Sequence, residues 1–152
     1  MLTPALAAFL QEGVGVHIGT CNARLEPSGA RALAVRVDAD GVHLDVFLAE
    51  VAAARLAADF TASGRAAVSF GRPVDDRACQ IKGDVVSMRP AEASERDRIR
   101  AQFESFLDNL ERIGIPRAGA ANWVRWPAVA VRVKATSIFE QTPGPAAGTP
   151  MP

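Results

Sequence analysis

Two long polar side chains, Gln80 and Lys82, interrupt an otherwise apolar segment of this sequence. They alternate with Cys79 and Ile81. Because successive side chains of a β-strand point to opposite faces, a strand over residues 78–86 would place both polar groups on one face. Such groups either face solvent or line a polar ligand site at the mouth of a barrel. Which alternative holds decides whether this protein is an enzyme.

The histidines and cysteines show no spacing typical of a metal or nucleophile site. His17 and Cys21 are four residues apart in a predicted strand, a span of about 13 Å, whereas zinc ligands converge within about 2.0–2.3 Å of one metal. An isolated histidine could also ligate haem, but His17 and His43 are better explained as strand residues whose ring nitrogens are hydrogen-bonded within the protein. Cys21 and Cys79 have no histidine beside them in the sequence and are predicted to lie in the core or an interface.

Composition limits the function classes further. The 152 residues fit one domain, 49% of them are apolar, and 17 basic residues balance 17 acidic ones. Zero net charge argues against nucleic-acid binding, which requires excess lysine and arginine. Two cysteines without paired spacing favour a reducing, cytoplasmic location. The apolar N-terminal run has no preceding cation and is too short to span a membrane, so it is interpreted as a helix rather than a signal.

Hydrophobic periodicity predicts a mainly β protein, an antiparallel β-barrel with α insertions. The short strands alternate and occur in consecutive runs, which a doubly wound sheet would not show. Ser94 and Asp97 suggest a capping box for the longest helix, and the charges of residues 92–100 suggest a solvated helix face. We predict six strands, at residues 14–20, 32–38, 42–48, 66–71, 78–86 and 128–139, and three helices, at 3–13, 50–63 and 91–113.

This order of elements resembles the FMN-binding split barrel of the pyridoxamine 5′-phosphate oxidase-like proteins over residues 14–142. The resemblance is carried by RALAVR at 31–36, GVHLDVFLAEVAAARLAADF at 41–60, RACQIKG at 77–83 and the closing FEQTPGPAAG at 139–148. It implies a six-stranded antiparallel split barrel over residues 1–141, followed by a Pro/Gly-rich tail at 142–152. It also implies a homodimer with FMN in clefts between the subunits.

By this resemblance, Arg31 and Arg36 occupy positions of phosphate-binding basic residues, a role that suits the guanidinium group. Residues five apart in a regular strand point to opposite faces, so both reach one phosphate only across a bulge or strand end. The typical oxidase carries Ser-Arg-Lys at the next helix start, where this chain has Glu50, Val51 and Ala52. Arg55, one turn further on, could compensate. The alternative for both arginines is a solvent-facing position on an edge strand.

The resemblance also implies residues around the flavin ring. Gln80 and Lys82 would address its edge, with Lys82 favouring the anionic reduced ring, although the family's glutamine aligns with Ala78. Either Trp123 or Trp126 could cover one face of the ring, because flat heterocycles stack on aromatic side chains. Exposed strand positions explain Gln80 and Lys82 as well, and a tryptophan near a strand start often packs over the core or a dimer contact.

Two functions follow. The first is an FMN-binding oxidoreductase of unknown small-molecule substrate, with Trp126 as the ring-covering tryptophan and with no catalytic residue assigned. Loss of the Ser-Arg-Lys cluster favours a small NAD(P)H-linked reductase over pyridoxamine-phosphate oxidation. The second is a non-catalytic barrel that holds flavin, haem, another flat ligand or no cofactor. Neither function requires nucleic acid or a membrane.

Overall fold

A computed structural model describes residues 2–120 and 126–152. The predicted helices form where the sequence places start and stop signals. The Thr3 hydroxyl accepts a hydrogen bond from the Leu6 amide at the start of the first helix, and Gly64, at φ +64°, ends the second. The helices are α1 (Pro4–Leu10), α2 (Glu50–Ser63) and α3 (Arg96–Arg112), with single 3-10 turns at Ala93–Glu95 and Arg117–Gly119.

The described strands form one antiparallel sheet of seven, one more than predicted. The additional strand, PSGAR, lacks alternation and contains proline and glycine, so its sequence resembles a loop. The strands are β1 (Gly15–Cys21), β2 (Pro27–Arg31), β3 (Ala34–Val37), β4 (His43–Ala49), β5 (Arg65–Gly71), β6 (Ala78–Pro90) and β7 (Ala128–Glu140). Their order in the sheet is β2-β1-β5-β6-β7-β4-β3.

Two residues between β2 and β3 close the sheet into a split barrel. The amide of Ala32 donates to the Val16 carbonyl in β1 at 2.9 Å, and the amide of Leu33 donates to the Phe47 carbonyl in β4 at 2.7 Å. The chain therefore changes its partner from β1 to β4 within two residues, at a bend at Leu33. This step brings the two outermost strands of the sheet order together.

The core fills the barrel and continues beneath α3. Inward-facing residues such as Ile18, Val46, Val68 and Ile81 are essentially inaccessible to solvent, as alternation along each strand predicts. A second buried cluster, centred on Phe47, lies on the opposite face of β4 and contains Ile99 of α3. Because α3 covers that outer face, Asp45 of β4 is also removed from solvent.

Polar side chains form hydrogen bonds with backbone groups on the two outer strands of the sheet. On β2, the Gly29 carbonyl accepts from Arg55 at 3.3 Å. On β3, Gln102 donates to the Val35 carbonyl at 2.6 Å and accepts from the Val35 amide at 2.9 Å. Side chains from α2 and α3 thus occupy strand edges that could otherwise pair with another chain.

The start of α3 differs from the sequence prediction in two respects. The capping box is formed by Glu92 and Glu95 around the 3-10 turn, not by Ser94 and Asp97. The predicted solvated face is interrupted by Glu95, whose side chain is 7% exposed and pairs with arginines of the sheet. The charges of residues 92–100 could not reveal this, because both arginines lie outside that segment, Arg36 on β3 and Arg89 at the end of β6.

The C-terminal residues return to β7. The Gly148 amide donates to the Glu140 carbonyl at 2.7 Å, and the Met151 amide donates to the Ile138 carbonyl at 2.8 Å. Pro150 forms an isolated bridge with Phe139. The segment is thus held against the barrel of its own chain.

Candidate functional site

A cleft of about 460 Å³ lies on the outer face of β2, β1, β5 and β6. It forms there because the apolar residues of these strands point into the barrel, which leaves their small and polar neighbours outside. The cleft is lined by His17, Ile18, Gly19, Gly29, Ala30, Arg31, Ala67, Ser69 and Gln80.

Small residues form the floor of this cleft. Gly29 pairs with Gly19 across β2 and β1, and Gly19 pairs with Ala67 across β1 and β5. A Cβ atom on Gly19 would meet only the Ser28 and Ala67 carbonyl oxygens, at 3.6 and 4.0 Å, which are ordinary contacts. The fold therefore does not require glycine at position 19. A side chain there would project into the cleft, so glycine keeps the floor flat.

A polar row crosses the four strands beside this floor. Arg31 pairs with His17, His17 with Ser69, and Ser69 with Gln80. The Gln80 side-chain amide donates to the Ser69 Oγ at 3.1 Å. This bond leaves the Ser69 hydroxyl proton and the Gln80 carbonyl oxygen available to a ligand. The row therefore offers a cation at one end and a donor with an acceptor at the other.

The electrostatic environment of the cleft favours an anion. Among the described residues that line it, none is acidic. Partial burial lowers the pKa of Arg31, which nevertheless stays protonated. Partial burial, followed by the charge of Arg31, lowers the pKa of His17. Both shifts arise because the cleft removes water around positive groups, and the charge of Arg31 adds to the effect at His17.

Two further cations border the cleft. Arg55 of α2 reaches the Gly29 carbonyl, which brings its guanidinium to the β2 side. Lys82, the neighbour of Ala67 across β5 and β6, holds its Nζ 4.8 Å from the centre of the Phe139 ring. Four of the six residues implied by the family resemblance, Arg31, Arg55, Gln80 and Lys82, therefore lie in or beside one cleft.

The other two lie elsewhere in this chain. Trp126 packs against the second core cluster, and its ring centre is 5.6 Å from the Arg96 guanidinium carbon. Arg36 belongs to an ion network on the outer face of β3, β4 and β7, described below. Trp123 lies outside the described residues.

The ion network surrounds Asp45, whose side chain is 1% exposed. Arg36 pairs with Asp45 and contacts Glu95 at 3.1 Å. Arg89 contacts Asp45 at 3.1 Å and forms two 2.8 Å hydrogen bonds with Glu95. Arg132 contacts Asp45 at 3.2 Å and also pairs with Asp38. Three arginines and three carboxylates thus neutralise one another.

Hydrogen bonding within this network shifts the pKa of its members. The two bonds from Arg89 are the main reason why the pKa of Glu95 falls to about 2, and the same bonds raise the pKa of Arg89. The network was not predicted from the sequence. Its one local signal is Asp45, a charge in the middle of the apolar strand HLDVFLA.

Sequence reasoning also missed His17 and Ser69 as cleft residues. The sequence favours a strand histidine at position 17 with its hydrogen bonds made within the protein, but nothing in the described part of the chain hydrogen-bonds its ring. The segment GVHIG carried a signal: Gly15, His17 and Gly19 share one face, opposite Val16 and Ile18. A strand face made of two glycines and a histidine has little to bury, which suits a surface reserved for a ligand.

Other site chemistries find no support in the described residues. No group of three or more histidine, cysteine, aspartate or glutamate side chains within 2–120 and 126–152 could hold a metal ion. The Cys79 thiol is buried, which raises its pKa to about 12 and keeps it protonated. Among the described helices, none is long and apolar enough to cross a membrane.

Comparison with known proteins identifies the fold. No protein-family model and no curated protein matches the sequence. Among solved structures, the chain is similar to an F420 reductase (17% identity, 86% of this chain and 93% of the other, TM-score 0.58). HupZ of Group A Streptococcus is similar at 15% identity over 97% and 100%, with a TM-score of 0.58.

A candidate pyridoxamine 5′-phosphate oxidase from Lactobacillus delbrueckii is similar at 13% identity over 91% and 93%, with a TM-score of 0.55. Each similarity extends over most of both chains, so it concerns the whole barrel rather than one motif. The chain has the split-barrel fold of the pyridoxamine 5′-phosphate oxidase-like proteins.

Proposed function

We propose that this protein binds FMN in the cleft on β2, β1, β5 and β6 and acts as a flavin-dependent reductase on a small molecule. The observation that carries the proposal is a flat floor of glycine and alanine beside a row of polar and cationic side chains. A planar ring needs such a floor, and a phosphate needs such cations. Two similar structures bear the names of a reductase and a candidate oxidase, which supports a redox role.

The residues present fit this ligand. The floor consists of Gly19, Gly29 and Ala67, and its largest side chain is the methyl group of Ala67. A planar ring can therefore lie against the strands. Four strands span three interstrand spacings, about 14 Å, long enough for a ring and an attached phosphate. Arg31 and Arg55 would hold the phosphate on the β2 side, and Gln80 would address the ring on the β6 side.

The chain's own residues would position and polarise the ligand. FMN, when bound, supplies the capacity to accept or donate a hydride. The Ser69 hydroxyl and the Gln80 carbonyl would hydrogen-bond one edge of the ring and fix its orientation. Lys82 would place a positive charge near that edge, where it would favour a ring that carries negative charge. Arg31, partly removed from water, would hold the phosphate more strongly than a fully hydrated arginine.

We include a homodimer and a cytoplasmic location in the proposal. The cleft lies on an outer surface of the barrel and is open on one side, so a second subunit could cover the ligand there and exclude water. A dimer in sedimentation experiments is the expected result. A clean monomer that still binds FMN would refute the dimer and leave the assignment of the cleft intact.

A second candidate, a non-catalytic barrel that holds flavin, haem, another flat ligand or no cofactor, is favoured by the first turn of α2. Glu50 and the 70%-exposed Val51 stand there, where a carboxylate weakens the attraction of a helix N-terminus for phosphate. The two candidates differ in turnover. An FMN-loaded reductase should oxidise NADH or NADPH in the presence of an electron acceptor, whereas the non-catalytic barrel should not.

The binding proposal is tested by titrating the full-length protein with FMN and following flavin absorbance and fluorescence. Replacing Arg31→Gln removes a phosphate contact and should weaken binding by about 10- to 100-fold, the 1.5–3 kcal/mol typical of a hydrogen bond to a charged group. Arg24→Gln is the matched control. This substitution changes the net charge by the same amount, but the Arg24 side chain is 80% exposed on the β1–β2 turn, outside the cleft lining. We therefore expect Arg24→Gln to leave FMN affinity unchanged.

Arg36→Gln separates the cleft from the ion network in the same titration. Because Arg36 is bound to Asp45 and Glu95, we expect this variant to lose stability and to keep its FMN affinity. If the wild-type protein takes up no FMN, the proposed function is wrong. If Arg36→Gln reduces affinity as much as Arg31→Gln does, the phosphate lies elsewhere.

A further inference from the structure

We propose that His17 takes up a proton when an anionic ligand enters the cleft, so that ligand binding and protonation of the protein are coupled. This inference rests on the proposed function, since it concerns the same cleft. It assigns to His17 the role of a positioning residue whose charge appears only in the complex. The proton comes from solvent and adds to the free nitrogen of the neutral imidazole.

The position of His17 carries the inference. It lies in the middle of the polar row, directly across from Arg31 on one side and Ser69 on the other. Cross-strand neighbours on one face hold their Cβ atoms about 4.5–5.5 Å apart, so a group bound by Arg31 is also within reach of His17. Its ring has no hydrogen-bond partner in the described part of the chain, and both of its nitrogens are therefore available to a ligand.

The charges around His17 are mainly positive. Ser69 on β5 and Phe106 on α3, whose ring lies 3.1 Å from a Cβ placed on Gly15, add no charge. Asp59 on α2 is engaged by the Ser28 hydroxyl. The remaining ionisable groups on the neighbouring strands and on α2 are Arg31 on β2, Arg65 on β5, Cys79, Lys82, Asp84 and Arg89 on β6, and Glu50 and Arg55 on α2. Asp84 pairs across the strands with Arg65, Cys79 is buried, and Arg89 belongs to the ion network around Asp45.

This environment makes the protonation of His17 responsive to an anion. In the ligand-free protein, partial burial and Arg31 lower the pKa of His17, so the imidazole is neutral near pH 7. A phosphate or carboxylate on Arg31 offsets the charge that disfavours protonation and can accept a hydrogen bond from the imidazolium. The pKa of His17 therefore rises on binding, and binding strengthens as the pH falls through the interval between the free and bound pKa values.

The experiment measures proton uptake on FMN binding to the full-length protein. Calorimetric titrations at pH 6.5 in two buffers of different ionisation enthalpy give the number of protons exchanged. The FMN phosphate itself titrates near pH 6, so the informative quantity is the difference between the wild type and His17→Gln. We expect the wild type to take up a larger fraction of a proton than His17→Gln does, by up to about one proton when the bound and free pKa values straddle the working pH.

Affinity should follow the same difference. FMN should bind the wild type more tightly at low pH than at high pH, and this gain should exceed the gain seen for His17→Gln. The excess is about tenfold for each unit by which the pKa of His17 in the complex is above its pKa in the free protein. His43→Gln is the matched control, because the chain has two histidines and His43 is held by Asp40 in the β3–β4 loop. It should retain wild-type proton uptake.

An independent measurement follows the His17 ring directly. With two histidines in the chain, the imidazole resonances can be assigned from the two variants and titrated with and without FMN. A His17 pKa that is higher with FMN supports the inference. Tight FMN binding with identical proton exchange in the wild type and His17→Gln overturns it and leaves the proposed function standing. Absence of FMN binding at every pH overturns both.

Discussion

Two polar clusters on the outer surface of the same barrel use arginine in opposite ways. The network on β3, β4 and β7 surrounds the buried Asp45 with three arginines and two further carboxylates. The cleft on β2, β1, β5 and β6 joins Arg31 to His17, Ser69 and Gln80 and has no acidic residue among its described lining. The first cluster balances its arginines with carboxylates of the same chain, whereas the second is the place where we propose that an anionic ligand binds.

The two clusters differ in what covers them. Glu95, at the start of α3, contributes to the network directly, and the helix packs Ile99 beside it. The cleft remains on the surface, and the centre of the Phe106 ring of α3 lies 5.5 Å from the Arg31 guanidinium carbon at one end of the polar row. Burial requires that charges be paired within the protein, while an open cleft permits pairing with a ligand. The network is therefore expected to determine stability, and the cleft to determine binding.

The largest expected effect follows from Asp45→Asn. This change keeps the shape of the side chain but leaves three arginines around a neutral group, and removal of one partner from a buried ion pair typically costs about 3–5 kcal/mol. The free energy of unfolding, measured by urea denaturation at pH 7, should fall by this amount, while FMN affinity of the folded fraction stays unchanged.

Asp76→Asn is the control for Asp45→Asn. Asp76 is exposed and has a φ of +55°, a conformation that asparagine tolerates, so its stability should change by less than about 0.5 kcal/mol. If the free energy of unfolding falls equally in the two variants, the ion network does not stabilise the protein more than an exposed charge does. A loss of FMN affinity in folded Asp45→Asn would show that the ion network and the cleft are energetically coupled.

A smaller effect is expected from Glu95→Gln, and it depends on pH. The pKa of Glu95 is lowered to about 2 in the folded protein, so its contribution is fully present above the unfolded pKa near 4.3 and is lost as the pH falls towards 2. At pH 7 the variant should lose about 1.5–3 kcal/mol, as expected for hydrogen bonds to charged groups. Urea unfolding at pH 7 and pH 3 should show the difference from wild type shrinking, and a pH-independent difference would contradict an ionic role.

The sequence predicted most of the elements because their signals are local. Thr3, Pro4 and the apolar spacing predicted α1, and the alanine-rich segment ending at Gly64 predicted α2 with its observed bounds. Strand β2 was missed because PSGAR has neither alternation nor β-branched residues, and its pairing depends on β1. The closure at Ala32 and Leu33 was hidden for the same reason, since it needs partners on two distant strands.

The candidate site was predictable only where resemblance supplied positions. Arg31 and Gln80 lie in the cleft, but Arg36, five residues from Arg31, is drawn to Asp45, a partner nine positions away that no motif connects to it. Gly83 illustrates a second limit. It ends RACQIKG, one of the segments that carry the resemblance, and a Cβ there would lie 2.2 Å from the Lys134 carbonyl oxygen at a bulge in the β6–β7 pairing. That reason is packing, and it appears only in three dimensions.

The smallest expected effect on stability, together with a large effect on binding, follows from Gly19→Ala. The added Cβ meets only ordinary contacts at 3.6 and 4.0 Å, and alanine in a strand is about 0.5–1 kcal/mol more favourable than glycine. The free energy of unfolding should therefore stay equal or rise slightly. FMN affinity should fall by about 5- to 150-fold, the equivalent of 1–3 kcal/mol for a methyl group forced into a filled space.

Gly71→Ala is the matched control for Gly19→Ala, because it changes the same residue type in β5, outside the cleft lining. A Cβ on Gly71 would meet nothing within 4 Å, so both stability and FMN affinity should be retained. If both variants bind FMN as the wild type does, the ring does not rest on this floor, and the polar row beside it loses its assigned partner. If Gly19→Ala alone loses binding while keeping its stability, glycine at this position serves the ligand rather than the fold.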